Sequence, residues 1–472
     1  MLFHSLQFLL FLPLVFAAYW GVARSTRARQ LLLFVASLIF YMAWNPAPVV
    51  LILYLSTCDW LLSRLLDRTR AEGRRKLLVT LSLVNNLTVL GVFKYADWIT
   101  RSVVDTAAGF GVKLVYQPLG LVLPVGLSFV VFQCLSYTID VYRRDLRARD
   151  SWLEVALYIS FFPQIVAGPI VRAVDFLPQL DKEPSLSEED GARALFRIAT
   201  GMFKKLVIAD LLAANLVDRV FAEPGNYSGV EVTAAVFSYT AQIYYDFSAY
   251  SDIAIGTAAL FGFKLKENFD KPYLSTNLFE FWRRWHMSLG SWLRDYLYFP
   301  LGGSKCSKLR TCWNLWVTMI LGGVWHGADW RFVAWGAVHG VVLIGNRILW
   351  WTFGKPPPDR SFASKLIAGV LTFLVVMEAR IVFRAPDMAS SWDVFVQQFK
   401  SGLSAPNLTP LVLTVMAAAT LGHLMPHRWY DRMVQAFVVV PIPARAIALL
   451  ALALGIKEVS SFEVQPFIYF QF

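Results

Sequence analysis

Residues 321–340 read LGGVWHGADWRFVAWGAVHG. His326 closes an almost uncharged run, 313–324, and stands between Gly323 and Gly327 with Trp325 and Trp330 on either side. A titratable side chain at the end of a stretch apolar enough to enter a bilayer is costly, so it is the first suspect for chemistry. The flanking glycines expose backbone and let a ligand or a second helix come close, while the indoles supply walls. The competing reading is an interfacial belt residue, because Trp and His also gather where a helix meets headgroups. On this stretch alone the two readings stand level.

Composition decides the class. With 472 residues, 57% of them hydrophobic and only 16% charged, the chain reads as an all-α, polytopic membrane protein rather than a soluble fold. Seventeen Trp, eighteen Tyr and thirty-six Phe are what interfacial belts and crowded helix packing use, and they say nothing of substrate. The formal charge of +11 lies in short blocks between apolar runs, as cytoplasmic loops do, and not as a nucleic-acid-binding face. Cys58, Cys134, Cys306 and Cys312 form no Cys-x-x-Cys pair, so neither a disulfide framework nor a zinc site is indicated.

Upstream, residues 2–21 can span, with Arg24, Arg27 and Arg29 following and no basic residue before them, which favours an uncleaved span with its N-terminus outside. Residues 31–62 exceed one span and are divided by Pro46 and Pro48; two crossings keep both flanking basic blocks in the cytoplasm. Residues 77–93 lead out, a loop follows, and 119–141 return. The apolar stretch 152–171 is interrupted by Pro163 and Gly168–Pro169, as in a re-entrant or broken helix. Residues 192–221 mix apolar and charged positions and suit an interfacial helix at least as well as a span. The long run 230–263 carries Tyr239, Gln242, Tyr244, Tyr245, Asp246 and Asp252 in its middle, too polar for a lipid-facing helix, so it lines a cavity. Residues 264–310 are net basic and cytoplasmic. Further spans or part-spans at 311–325, 332–351, 366–383, 411–424 and 436–454 bring the expected number to about ten to twelve in one integral unit, 1–472.

A second constellation is FEFWRRWHMSLGSWLRDYLYFP, residues 279–300. Trp282, Trp285, Leu289 and Trp292 recur at three and four, which predicts one amphipathic helix. His286 within it is either functional or incidental to a surface helix whose Trp and Arg snorkel. Phosphate-loop, nucleophile-elbow and His-Glu-x-x-His signatures are missing, and no His-x-x-x-x-Asp occurs. His423 and His427 are four apart but separated by Pro426, and read as structural; no metal site is expected. What remains is a buried imidazole. Burial disfavours imidazolium, so the neutral ring is free to take a proton from an alcohol, and a hydroxyl so activated can attack a thioester. His339, about 220° around an ideal helix from His326, is left as structural or supporting.

These residues resemble a known family. FWRRWHMSLGSWLRDY (281–296) and LGGVWHG (321–327) are similar to the two histidine motifs of the membrane-bound O-acyltransferase superfamily. LPVGLSFVVFQCLSYTIDVYR (123–143), FFPQIVAGPIVR (161–172), FKKLVIAD (203–210), and YYDFSAYSDIAIG and ENFDKPY within 239–273 resemble its bacterial branch typified by the alginate O-acetyltransferase membrane subunit. The motif-bearing core is 119–350, and the last hundred or so residues match only as apolar spans.

The resemblance implies that His326 is the catalytic base and His286 the second functional histidine, and that a helical shell surrounds a central tunnel. It places Trp325, Arg284, Arg294 and Asp295 in matching motif positions, as support for His286 or the donor phosphates; for the charged ones, loop-structuring ion pairs are an equal alternative. Tyr245 and Asp246 join them from the polar run. It also implies a protein of the inner membrane that uses acetyl-CoA as donor substrate, without a bound cofactor. Extracytoplasmic acetyltransferase partner proteins follow in the same way. The expected activity is O-acetylation of an exported polysaccharide such as alginate. The alternatives are acyl transfer to cellulose or peptidoglycan, D-alanylation of teichoic acid, or a polysaccharide exporter that is not an enzyme.

Overall fold

A computed structural model describes residues 1–166, 168–400, 402 and 404–459. Every regular element among them is helical. The chain packs as two compact units, Met1–Ala194 with Ala254–Lys266, and Leu195–Ile253 with the chain from Glu267 onward.

The first unit opens with α1 (Leu6–Gly21) and α2 (Thr26–Met42), whose first turns are closed by the hydroxyls of Ser5 and Ser25, each satisfying an amide that has no partner within the helix. Next come α3 (Val49–Arg68) and α4 (Glu72–Leu90). The expected division at Pro46 and Pro48 is present, since α2 ends before that segment and α3 begins after it. A π-helical turn, Gly91–Tyr95, carries α4 on into α5 (Ala96–Gly109), so the loop expected after residue 93 begins much later. Apolar Ile99 and Val103 alternate with Arg101 and Asp105 at helical spacing, which sustains the helix past the end of the apolar run. The Asp97 carboxylate accepts the Leu119 amide at 2.8 Å, fastening the returning chain.

The unit continues as α6 (Leu127–Arg143), α7 (Trp152–Ser160), α8 (Phe162–Ile165), α9 (Ala173–Leu180) and the start of α10 (Glu188–Phe203). The described residues of 152–171 are broken, as expected, into α7, α8 and non-helical chain. Two buried polar groups bind α3, α4 and α6 together. The Asp59 carboxylate of α3 accepts from Ser82 at 2.5 Å, Asn86 at 2.8 Å and Thr138 at 2.7 Å. Arg75 donates to Leu66 O at 2.6 Å and to Tyr142 O at 2.7 Å, covering the last carbonyls of α3 and α6, where a cation suits the helix dipole.

In the second unit α10 runs through π-helical Lys204–Ala209 into α11 (Asp210–Leu212), then through π-helical Ala213–Val217 into α12 (Asp218–Ala222). The long helix α13 (Gly229–Leu260) follows, of which 229–253 belong to this unit. The motif region 279–300 is not the single amphipathic helix its periodicity predicts. It forms α14 (Leu278–Arg284), α15 (Met287–Leu293) and a π-helical turn, Arg294–Tyr298, because His286 adopts the left-handed conformation, φ 43° and ψ 54°, and interrupts the helix.

The remaining helices are α16 (Lys308–His326), α17 (Trp330–Phe353), α18 (Phe362–Arg384), α19 (Met388–Gln397), α20 (Pro410–Leu424), α21 (His427–Val439) and α22 (Ile442–Val459). The expected run 436–454 is split at Pro441 into α21 and α22. Among the described residues four helices, Val49–Arg68, Glu72–Gly109, Trp330–Phe353 and Phe362–Arg384, are long and apolar enough to cross a membrane, and Leu6–Gly21 and Pro410–Leu424 are shorter apolar helices. Several of the expected ten to twelve crossings are thus short or broken segments.

The hairpin α16–α17 carries His326. A Cβ on Gly323 would lie 2.1 Å from the Phe332 carbonyl oxygen, and one on Gly336 would lie 2.4 Å from that of Met319. Only glycine permits backbones this close, which is how small residues join helices in lipid, where the hydrophobic effect gives no pull between them. The Asp329 carboxylate caps α17 by accepting the Arg331 amide at 2.8 Å.

Candidate active site

His326 is the last residue of α16, with 4% of its surface exposed. Its ring is enclosed by aromatic edges and faces: Trp325 at 5.0 Å, Trp335 of α17 at 5.2 Å and Phe383 of α18 at 5.3 Å between centroids. Three planes inclined to the imidazole by 74° to 88° leave it little rotational freedom, in the edge-to-face geometry aromatic pairs prefer.

His286 is fully buried at the α14–α15 break. Its Nδ1 lies 3.2 Å from the Asn268 side-chain oxygen, which also accepts from the Ser288 amide at 3.2 Å and the Ser288 hydroxyl at 2.9 Å. Asn268 is itself held: its side-chain amide donates to Ser251 Oγ at 3.2 Å, and its main-chain carbonyl accepts the Met287 amide at 2.9 Å. These contacts keep the break in place, since a left-handed histidine is strained by about 1–3 kcal/mol and persists only where its surroundings fix it. Phe247 of α13 stands edge-on to the ring at 4.6 Å and Trp325 at 6.1 Å. Burial drives the His286 pKa down to about 3, so the ring is neutral at physiological pH.

The two histidines, forty residues apart in sequence, therefore share Trp325 as a neighbour. His339 belongs to the same cluster, with Trp335 at 4.6 Å and Trp282 at 5.3 Å. Its angular distance from His326 on one ideal helix has no bearing, because residues 327–329 separate α16 from α17; Trp335 touches both rings instead.

Arg284, Arg294, Asp295, Tyr245 and Asp246 make contacts of their own. Arg284 pairs with Glu280 at 2.8 Å, and Arg294 with the adjacent Asp295 at 2.7 Å. The Tyr245 hydroxyl donates to Ala419 O at 2.5 Å. Asp246 belongs to a buried ionic cluster, in which Lys205 lies 2.9 Å from it and 2.7 Å from Asp210. His423 accepts the Tyr273 amide at 3.3 Å, whereas His427 faces Asp270 at 3.0 Å, so the two do not share a site.

A cavity of about 1190 Å³ opens among α13, α17, α18 and α20. Tyr244, Tyr245, Tyr273, Phe373 and His423 line it, and Lys355, Arg360 and Lys365 stand along it in the α17–α18 connection and the first turn of α18. Neither His286 nor His326 is part of its wall; Tyr244 and Tyr273 connect it to the cluster through Trp285, at 6.5 and 6.1 Å.

Sequence reasoning missed Asn268, Trp335, Phe383 and Arg380. The last had a readable signal: an arginine inside the apolar run 366–383. It is 2% exposed and lies 4.2 Å over the Trp285 ring and 5.8 Å from that of Phe383.

Residues 9–384 match the membrane-bound O-acyltransferase family, and the chain belongs to that family. It is 38% identical to the probable alginate O-acetylase AlgI of Pseudomonas aeruginosa, over 89% of this chain and 80% of that protein. It is 34% identical to the AlgI of Pseudomonas putida over the whole of both chains. A peptidoglycan O-acetyltransferase of Helicobacter pylori is 33% identical over 84% of this chain and 79% of its own length. The protein is accordingly a membrane O-acyltransferase that takes an acyl donor and an acceptor.

Proposed function

We propose that this protein is an inner-membrane O-acetyltransferase which draws acetyl groups from cytoplasmic acetyl-CoA and moves them across the membrane for O-acetylation of an exported polysaccharide, with alginate as the leading acceptor. The observation that carries the reading is the enclosure of His326 by Trp325, Trp335 and Phe383, at the centre of a motif of the family. In this reading the neutral imidazole takes the proton of an acceptor hydroxyl as its oxygen adds to the thioester carbonyl carbon. The C–S bond then breaks, and the departing thiolate receives that proton. His286, whose Nδ1 lies against the Asn268 side-chain oxygen, is assigned a positioning role in this reading. Transfer to the polymer then runs through extracytoplasmic acetyltransferase partners.

His326→Ala is expected to abolish polymer acetylation while the protein inserts and accumulates as wild type. Wild-type acetylation in that strain overturns the assignment of the base. The similarity to the peptidoglycan O-acetyltransferase favours peptidoglycan as a second acceptor, and one of 30% identity to a teichoic acid D-alanyltransferase of Streptococcus thermophilus, over 55% of this chain, keeps an aminoacyl donor in view. Assay of the purified protein with acetyl-CoA against an aminoacyl carrier protein, and of each polymer from a deletion strain, separates the three.

A further inference from the structure

Arg380 is a full positive charge inside the apolar helix α18, where a charged side chain is expensive and marks function. Its neighbour one turn on, Arg384, is neutralised by Asp218 at 2.6 Å. Arg380 has no carboxylate within ion-pair distance among the described residues, and Glu378, two positions earlier, is engaged by Gln398 at 3.1 Å. Instead its guanidinium lies 4.2 Å over Trp285, in the first histidine motif, and 5.8 Å from Phe383, the ring that stands against His326. It also interacts with the Tyr273 hydroxyl, and Tyr273 forms part of the cavity wall. Along α18 the cavity-lining residues Leu366, Gly369, Val370 and Phe373 follow one helical stripe, and Arg380 continues it two turns beyond Phe373.

A cation–π stack offsets part of the cost of burying arginine but leaves its charge unneutralised. The planar fork is suited to a two-oxygen anion. Resting on the acyl-transfer reading above, we propose that Arg380 is the anion-recognition residue of this site, pairing with an anionic oxygen of the acyl donor. That oxygen has two sources: a donor phosphate, present from the moment of binding, or the oxyanion formed on the acyl carbon when the acceptor oxygen adds to it.

The test uses the full chain in membranes, with acetyl-CoA and the phosphate-free thioester acetyl-pantetheine as donors. If the donor phosphate is the partner, Arg380→Gln raises KM for acetyl-CoA about tenfold or more and leaves that for acetyl-pantetheine unchanged; if the oxyanion is, kcat falls by a similar factor on both donors. Arg380→Lys keeps the charge and loses the fork, and is expected to recover part of either effect. Should Arg380→Gln fail to accumulate, Arg380→Lys is read alone, with a loss of a few fold or more expected on at least one donor. Kinetics within about twofold of wild type on both donors, in protein that accumulates normally, overturn the inference. Wild-type protein inactive on both donors overturns the acyl-transfer reading instead; thermal shift with coenzyme A as the probe then reads Arg380 directly, and equal shifts in wild type and Arg380→Gln overturn its role.

Discussion

Trp335 stands at 88° to the imidazole of His326, with 5.2 Å between their ring centres. The indole comes from α17 and the histidine from the end of α16, so the glycine-joined hairpin and the orientation of the ring are one construction. Removing the indole frees the imidazole without touching it chemically. Trp335→Ala is expected to lower acetyl transfer on the order of a hundredfold, the scale of a misplaced catalytic group, and Trp335→Phe much less. Acetyl content of the polymer at matched protein level reads both.

The hairpin itself can be tested at Gly323 and Gly336. A methyl group on either meets a backbone carbonyl of the opposing helix at 2.1 or 2.4 Å, and backbone cannot rotate aside as a side chain can. Gly323→Ala and Gly336→Ala are each expected to reduce the amount of protein in the membrane, read by immunoblot. Gly345→Ala on the same α17, where nothing stands within 4 Å of the added carbon, is expected to leave it unchanged.

His286 carries a pH signature. Its folded pKa of about 3 lies below the ordinary value of 6.5, so below pH 6.5 the unfolded chain binds a proton that the folded chain refuses. The stability this ring contributes is whole above pH 6.5 and drains away as pH falls towards 3. His286→Gln, which cannot protonate, is expected to flatten the acid limb of thermal inactivation measured in detergent between about pH 7 and 4. An unaltered limb would show that the acid sensitivity arises elsewhere.

Asp59 provides a test confined to the first unit. Asp59→Ala removes the acceptor shared by Ser82, Asn86 and Thr138; Asn86 and Thr138 keep Ser82 O and Ser63 as further partners, and each buried group left unsatisfied costs about 1–3 kcal/mol. A marked fall in thermal stability is expected, with kcat per surviving molecule unchanged. Asp59→Asn, which retains acceptor capacity on one oxygen, is expected to fall between the two.

Much of this was legible from local pattern. His326 stood out because a costly group ended an apolar run, and the break within 152–171 was announced by Pro163 and Gly168–Pro169. Periodicity failed at His286, since the residues around it repeat as a helix does, whereas the left-handed turn is held by tertiary contacts such as that with Asn268, eighteen positions upstream. It failed again beyond residue 93, where a π-helical turn lets the helix run on after its hydrophobic signal fades. Trp335 and Phe383 were invisible as site residues because aromatic side chains are abundant throughout the chain, and their meeting on one imidazole is a tertiary fact. Arg380 was hidden by averaging: two charges, Glu378 and Arg380, hardly alter the hydropathy of a long apolar segment.

The clasp on Asp59 also bears on how the chain enters the bilayer during synthesis. The acidic side chain leaves the ribosome first, on α3. Ser82 and Asn86, on α4, emerge next, and Thr138, on α6, comes last. A lone α3 in lipid would carry its carboxyl group without these partners, at a cost that pairing with α4 offsets. The later helices α4 and α6 thus complete a polar site that α3 alone leaves open.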